Sequence, residues 1–224
     1  VHGLGNESDP WRYILPPLAV HQRVIALDLP GFGRSDPLKH YRIPALLDIL
    51  LDLLATLEIP RACFVGNSLG GVLSHAIAVK HPECVQALVL LDGHLAADQQ
   101  NINLDTLLFL LPGLGEWRYS QYRNNPQAAY ESLRPFYANL DNLPEEDRAF
   151  LFQRVNERVW SPKQRRAYLS ILRSTALWMV TQQRIFRDGL PNLKVPTVVI
   201  YGEEDHIMPP ENAQNIQALQ PDID

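Results

Sequence analysis

The run Phe64-Val65-Gly66-Asn67-Ser68-Leu69-Gly70-Gly71 places a serine between glycines two positions away on each side. Such a Gly-x-Ser-x-Gly segment carries chemistry when it joins a strand to a helix. Neighbours without a Cβ let the backbone pass closely, and the hydroxyl then points out of a sharp turn as a nucleophile. The helix that follows brings its first amides and the positive end of its dipole to the reacting oxygen. Ser68 is therefore the candidate nucleophile. Asp205, just past the apolar run Thr197 to Tyr201, is a loop carboxylate able to orient an imidazole, whereas its neighbours Glu203 and Glu204 read as solvated turn acids. The opening residues Val1-His2-Gly3-Leu4-Gly5 fit the end of a strand entering a Gly-rich loop. An amide from that loop, Leu4 ahead of Gly3, would pair with the amide of Leu69 as an oxyanion hole.

These residues need a scaffold, and the hydropathy pattern supplies one. Val24 to Leu27, Ala62 to Val65, Ala87 to Leu91 and Thr197 to Tyr201 are short apolar runs bounded by Gly, Pro or Asp, which predicts four strands. Helical patterns lie between most of them, among them Ala45 to Leu57, with Asp48 and Asp52 on a solvated face. Strands alternating with helices imply an α/β fold with a mostly parallel sheet covered on both faces. Such sheets bind ligands beyond the carboxyl ends of their strands, where Ser68 and Asp205 would both stand. About a hundred residues separate Asp92 from Pro196, too many for one crossover helix. Their aromatic content and the helix-compatible runs Glu145 to Val159 and Pro162 to Gln183 predict a helical insertion over the sheet. The expected division is 1–93 and 191–224 for the sheet-bearing core and 94–190 for the insertion.

Composition narrows the partners. At 46% hydrophobic and 20% charged, the chain is that of an ordinary globular protein. A net charge of −5 without a polybasic run argues against nucleic acid and anionic membrane. No stretch reaches the roughly 18 apolar residues of a membrane span. Cys63 and Cys84 lack metal-ligand spacing and read as two buried free thiols in a reducing, cytoplasmic setting. The expected partner is a small-molecule substrate, and neither a metal nor an organic cofactor is implied.

With these residues in place the chain resembles the α/β-hydrolase superfamily, in its capped, serine-nucleophile branch. His2-Gly3 looks like the oxyanion-loop motif, Asp28-Leu29-Pro30-Gly31-Phe32-Gly33-Arg34-Ser35-Asp36 like the D-x-P-G-x-G-x-S segment, and Asp205 falls at the acid position. The resemblance covers Val1 to Asp92 and Pro196 to Asp224 on motifs, and the insertion by placement. It implies a catalytic triad, an oxyanion hole and a helical cap shaping an apolar pocket. The implied reaction is hydrolysis of a small hydrophobic ester or related carbonyl substrate through an acyl-enzyme. A carbon-carbon bond hydrolase or lyase on the same triad is the alternative, and a non-catalytic small-molecule receptor on this fold is a second.

The family's catalytic histidine follows the acid by some tens of residues, and no residue here matches it. The expectation is a fragment lacking both ends of the domain, inactive for want of a histidine beyond residue 224. His94, at the end of a strand, is the substitute base to weigh. His206 adjoins Asp205, and their side chains should diverge, while His75 and His81 read as packing or surface residues. Asp92 is the alternative acid, ranked below Asp205.

Overall fold

The computed structural model describes residues 1–96, 104–220 and 223. Its sheet is parallel throughout, in the order β1 (Ala62–Asn67), β2 (Val85–Leu91), β3 (Thr197–Ile200). Parallel neighbours need a crossover, and α3 (Leu69–Lys80) supplies it between β1 and β2. Val1 lies along the far edge of β1, its N donating to Val65 O at 2.6 Å and its O accepting from Asn67 N at 3.1 Å. Helices α1 (Leu15–Ala19) and α2 (Ile43–Thr56) precede the sheet. In α2, Pro44 sits in the first turn, where its missing N–H costs nothing; Ile43, Leu46, Leu47 and Leu50 are buried, while Asp48 and Asp52 face solvent.

Between β2 and β3 run α4 (Leu104–Leu110), α5 (Leu114–Gln121), α6 (Pro126–Glu131), α7 (Glu145–Trp160) and α8 (Pro162–Gly189), and α9 (Asn212–Leu219) follows β3. Residues 97–103, the start of the expected insertion, and 221, 222 and 224 lie outside the described residues. Two apolar clusters organise the helices. Ala129, Tyr130, Leu140, Val155 and Val159 form a small one around α6 and α7. Helix α8, about 42 Å long at 1.5 Å per residue, instead sends Ala167, Ile171, Trp178 and Phe186 into the main core with Leu73, Ile77, Leu88 and Leu90. No helix among the described residues is long and apolar enough to cross a membrane.

Two expectations are corrected. Val24 to Leu27 joins no ladder, because among the described residues no strand lies alongside it; the segment has no regular secondary structure and Ile25 is 41% exposed. The cysteines are free but not buried, Cys63 being exposed and Cys84 half-buried. The reason is the register. Phe64, Leu88 and Thr197 align on the sheet face that packs on α3 and are buried. The alternate positions face the other way, where Val198 and Ile200 stay 39% and 50% exposed, and Cys63 falls on that open face.

Candidate active site

Ser68 links β1 to α3 with φ 48° and ψ −115°, a region a non-glycine residue holds only when its surroundings force it. Backbone contacts supply that force. Ser68 N donates to Leu91 O at 2.8 Å, and Val72 N donates to Ser68 O at 3.0 Å. A Cβ on Gly66 would stand 2.6 Å from Gly71 N and closer still to the Gly70 carbonyl; one on Gly93 would stand 2.5 Å from Ser68 O. The turn is therefore packed backbone against backbone. Ser68 is also the residue before the first turn of α3, where serine ordinarily caps the helix for about 1 kcal/mol. Here its side chain makes no capping hydrogen bond, which leaves the hydroxyl available to a reactant.

The Gly-rich loop at the start of the chain lies directly against this serine. A Cβ on Gly3 would be 3.3 Å from Ser68 Cβ and 2.9 Å from Asn67 Oδ1, so only glycine lets the loop approach. Gly5 turns the loop at φ +77°, with the Tyr168 ring 3.0 Å from the position of a Cβ. Leu69 N opens α3, where the first amides have no partner within a helix. Neither Leu4 N nor Leu69 N donates to another group among the described residues. Gly3, next to the first expected donor, thus lies against Ser68, and Leu69, the second, follows it at the start of α3.

His2 holds the loop rather than reacting. It is 1% exposed; its Nε2 accepts from Leu29 N and its Nδ1 lies 2.8 Å from Gly3 O. Accepting at Nε2 requires the proton on Nδ1, which then donates to Gly3 O. Burial pushes its pKa down to about 4. The Asp28 to Asp36 segment is locked beside it. The Asp28 carboxylate accepts from Ser8 N at 2.7 Å and Arg34 N at 2.8 Å, and Ser35 Oγ donates to Asp28 O at 2.6 Å. Burial works against that carboxylate's charge, yet the two amides outweigh it and hold its pKa below the usual range. Its role is to shape a loop, as the sequence indicated.

Both candidate acids sit at the carboxyl edge of the sheet. Asp92, at φ +50°, follows β2; its N donates to Ile200 O at 3.0 Å and its Oδ1 accepts from Gly202 N at 3.1 Å. Burial, and then the charge of Asp205, push the Asp92 carboxyl up, against the Gly202 amide. Asp205 lies in the turn after β3, half-buried, its Oδ1 accepting from Ile207 N and Met208 N at 2.8 Å each. Asp92 thus stands between Ser68 and Asp205. Two strand spacings, about 10 Å, separate β1 from β3.

No described histidine is hydrogen-bonded to the Ser68 hydroxyl. His94 is fully buried: its Nδ1 accepts from Ala96 N and its Nε2 faces Asn212 O, each at 3.1 Å, so both nitrogens are committed. His75 is likewise buried and accepts from Leu95 N at 3.3 Å. His206, like Glu203 and Glu204, is exposed.

Acid should therefore unfold this protein early. Burial lowers the pKa of His75 to about 3 and that of His2 to about 4, so both are neutral in the folded chain. The unfolded chain binds protons below pH 6.5, so stability rises with pH across that window and is lost as pH falls from 6.5 towards 4. The slope is about 1.4 kcal/mol per pH unit for each histidine. Urea midpoints at pH 7 and pH 5 measure it. Flat stability over this range would refute the assignment, and His2→Gln, which keeps an acceptor, should remove one proton from the slope.

Comparison with known proteins accords with this geometry. A family model for the alpha/beta hydrolase fold matches residues 1–223. The chain is 31% identical over 221 residues to the 2-hydroxymuconate semialdehyde hydrolase of Pseudomonas sp. strain CF600, covering 93% of this chain and 70% of that one. It is 27% identical over 224 residues to the pimeloyl-[acyl-carrier protein] methyl ester esterase of Hamiltonella defensa, covering 99% and 79%. Among solved structures, the 2-hydroxy-6-oxo-6-phenylhexa-2,4-dienoate hydrolase of Rhodococcus sp. strain RHA1 superposes with a TM-score of 0.81 at 22% identity, over 100% of this chain and 79% of that one. With its parallel sheet, its strand-to-helix serine turn and a family match over nearly its whole length, this chain belongs to the α/β-hydrolase fold family and is a hydrolase of that family.

Proposed function

We propose that Ser68 is the nucleophile of a serine hydrolase acting on a small, hydrophobic ester or related carbonyl substrate. The observation that carries this reading is the strained Ser68 turn, with a hydroxyl that caps nothing and a glycine loop against its Cβ. Ser68 Oγ attacks the carbonyl carbon as a histidine base takes its proton. The oxyanion is met by the amides of Leu4 and Leu69, and the resulting acyl-enzyme is resolved by water. Asp205 orients that histidine. Asp92 serves less well, because its raised pKa opposes the charge an acid needs to stabilise an imidazolium. Helices α4 to α8 act as the cap, and the rings of Phe109, Tyr119 and Tyr168, with centroids 5.7 to 6.2 Å apart, form the wall facing Gly5. Two free cysteines fit a cytoplasmic setting.

Labelling the full-length gene product with a fluorophosphonate tests the nucleophile: the adduct should map to Ser68 by mass spectrometry, and an adduct on another serine would end the proposal. Asp205→Asn should lower kcat by about 10⁴-fold, since the imidazole then loses its orienting charge. Asp92→Asn should cost under about tenfold; a reversed order of the two would make Asp92 the acid.

The second reading, carbon-carbon bond hydrolysis on the same residues, is favoured by the likeness to the 2-hydroxymuconate semialdehyde hydrolase. Parallel assays on p-nitrophenyl esters and on a conjugated 2-hydroxy-6-oxo-dienoate separate the two by kcat/KM.

A further inference from the structure

The loop that carries Leu4 is tied to a helix far away in sequence. Glu7 is 1% exposed, and its carboxylate accepts three hydrogen bonds from α7: Arg154 Nε at 2.9 Å, Arg154 Nη2 at 2.7 Å and Arg158 Nη2 at 2.7 Å. Arg158 Nη2 also reaches Asn6 Oδ1 at 3.2 Å, and Asn6 N donates to Gly3 O at 3.1 Å, closing the turn that contains Leu4. Further along, Tyr13 donates to Asp147 at 2.7 Å and Arg12 pairs with the same carboxylate, its guanidinium 4.3 Å from the Phe150 ring centre. Asp147, Arg154 and Arg158 are spaced by seven and four residues, so they share one face of α7. The segment from Asn6 to Tyr13 is therefore laid along a single helix face.

A buried carboxylate held by two guanidinia is no economical route to stability, because its desolvation offsets most of the attraction. It does fix direction: a forked guanidinium allows a carboxylate few orientations. Glu7 lies three residues from the Leu4 amide, with Gly5 between them at φ +77° against Tyr168. Moving α7 would swing that amide.

We propose that Glu7, Arg154 and Arg158 form a positioning clamp that aims the Leu4 amide at the reacting oxygen, so that the oxyanion hole is complete only while α7 is seated on the loop. This rests on the reading of Ser68 as nucleophile and Leu4 as donor. The three are positioning residues, and their loss acts on the transition state more than on the bound substrate.

The test is a triple variant, Glu7→Met with Arg154→Met and Arg158→Met, in the full-length protein. It removes all three charges together, and Asp9, which also pairs with Arg154 at 3.1 Å, keeps Arg34 at 3.0 Å, so no buried ion is left unpaired. Its melting temperature should stay near that of the parent. Its kcat for a p-nitrophenyl ester should fall about 100-fold, the effect of losing one oxyanion donor, with KM within about threefold by the same argument. Affinity for a boronic acid transition-state analogue should fall by the same factor as kcat/KM, which a purely structural role would not produce. Unchanged kcat in the folded variant overturns the clamp. Should the triple variant not fold, Glu7→Gln, which keeps the volume but loses the charge, should lower kcat about tenfold at constant KM, and unchanged kcat again overturns the clamp. Turnover that survives Ser68→Ala in the parent would instead overturn the nucleophile assignment on which the clamp rests.

Discussion

Ser68→Ala should abolish turnover, lowering kcat by about 10⁶-fold, while leaving the fold intact. The two halves of that expectation come from the same turn. The hydroxyl makes no capping bond to α3, so its removal costs no structural hydrogen bond. Alanine and serine also meet the same strain at φ 48°, so the urea midpoint should stay within about 0.5 kcal/mol of the parent. Chemistry depends on the oxygen completely, because without it water must attack directly. The residual rate would come from the two amides and substrate binding alone. Steady-state hydrolysis and fluorophosphonate labelling, run beside a urea titration, check both halves. Activity above about 1% of the parent, far more than that residual rate, would place the nucleophile elsewhere. A large stability loss would mean the hydroxyl has a structural duty that these contacts do not reveal.

Gly66→Ala should have the largest effect on stability, at least about 4 kcal/mol, and leave little soluble protein. The added methyl would sit 2.6 Å from Gly71 N and closer to the Gly70 carbonyl. Those atoms belong to the first turn of α3, which is buried almost all round. A flexible side chain could yield; a helix backbone wedged between sheet and core cannot. Gly113→Ala is the control. That residue has φ +82° and ψ −53° with nothing within 4 Å of a Cβ, so the change costs only backbone strain, about 1–3 kcal/mol. Similar urea midpoints for the two variants would show that the serine turn is looser than its contacts imply.

Much of this site was legible one residue at a time. The glycine pattern around Ser68 announced a strained turn because only residues lacking Cβ permit it, and apolar runs on both sides identified strand and helix. The same local logic located β1, β2, β3, α2, α7 and α8 to within a few residues, except that α8 runs six residues beyond the expected end. It failed at Val24 to Leu27, where an apolar run joins no ladder because a strand needs a neighbour that sequence pattern does not guarantee. It failed again at Cys63, whose exposure follows from which sheet face α3 covers. His2, expected as part of a loop motif, proved to be the strut between Gly3 O and Leu29 N. His94, a possible base by position, is spent on Ala96 N and Asn212 O. Glu7 passed unnoticed because its partners lie 147 and 151 residues away, and no periodicity links a loop carboxylate to a helix so distant. The sequence by itself determined which residues are able to do chemistry and the backbone shapes they require, since both are local properties of side-chain type and steric allowance. Tertiary structure alone decided which of them meet, which are consumed as supports and which face solvent, because those outcomes depend on contacts between segments that local patterning does not encode.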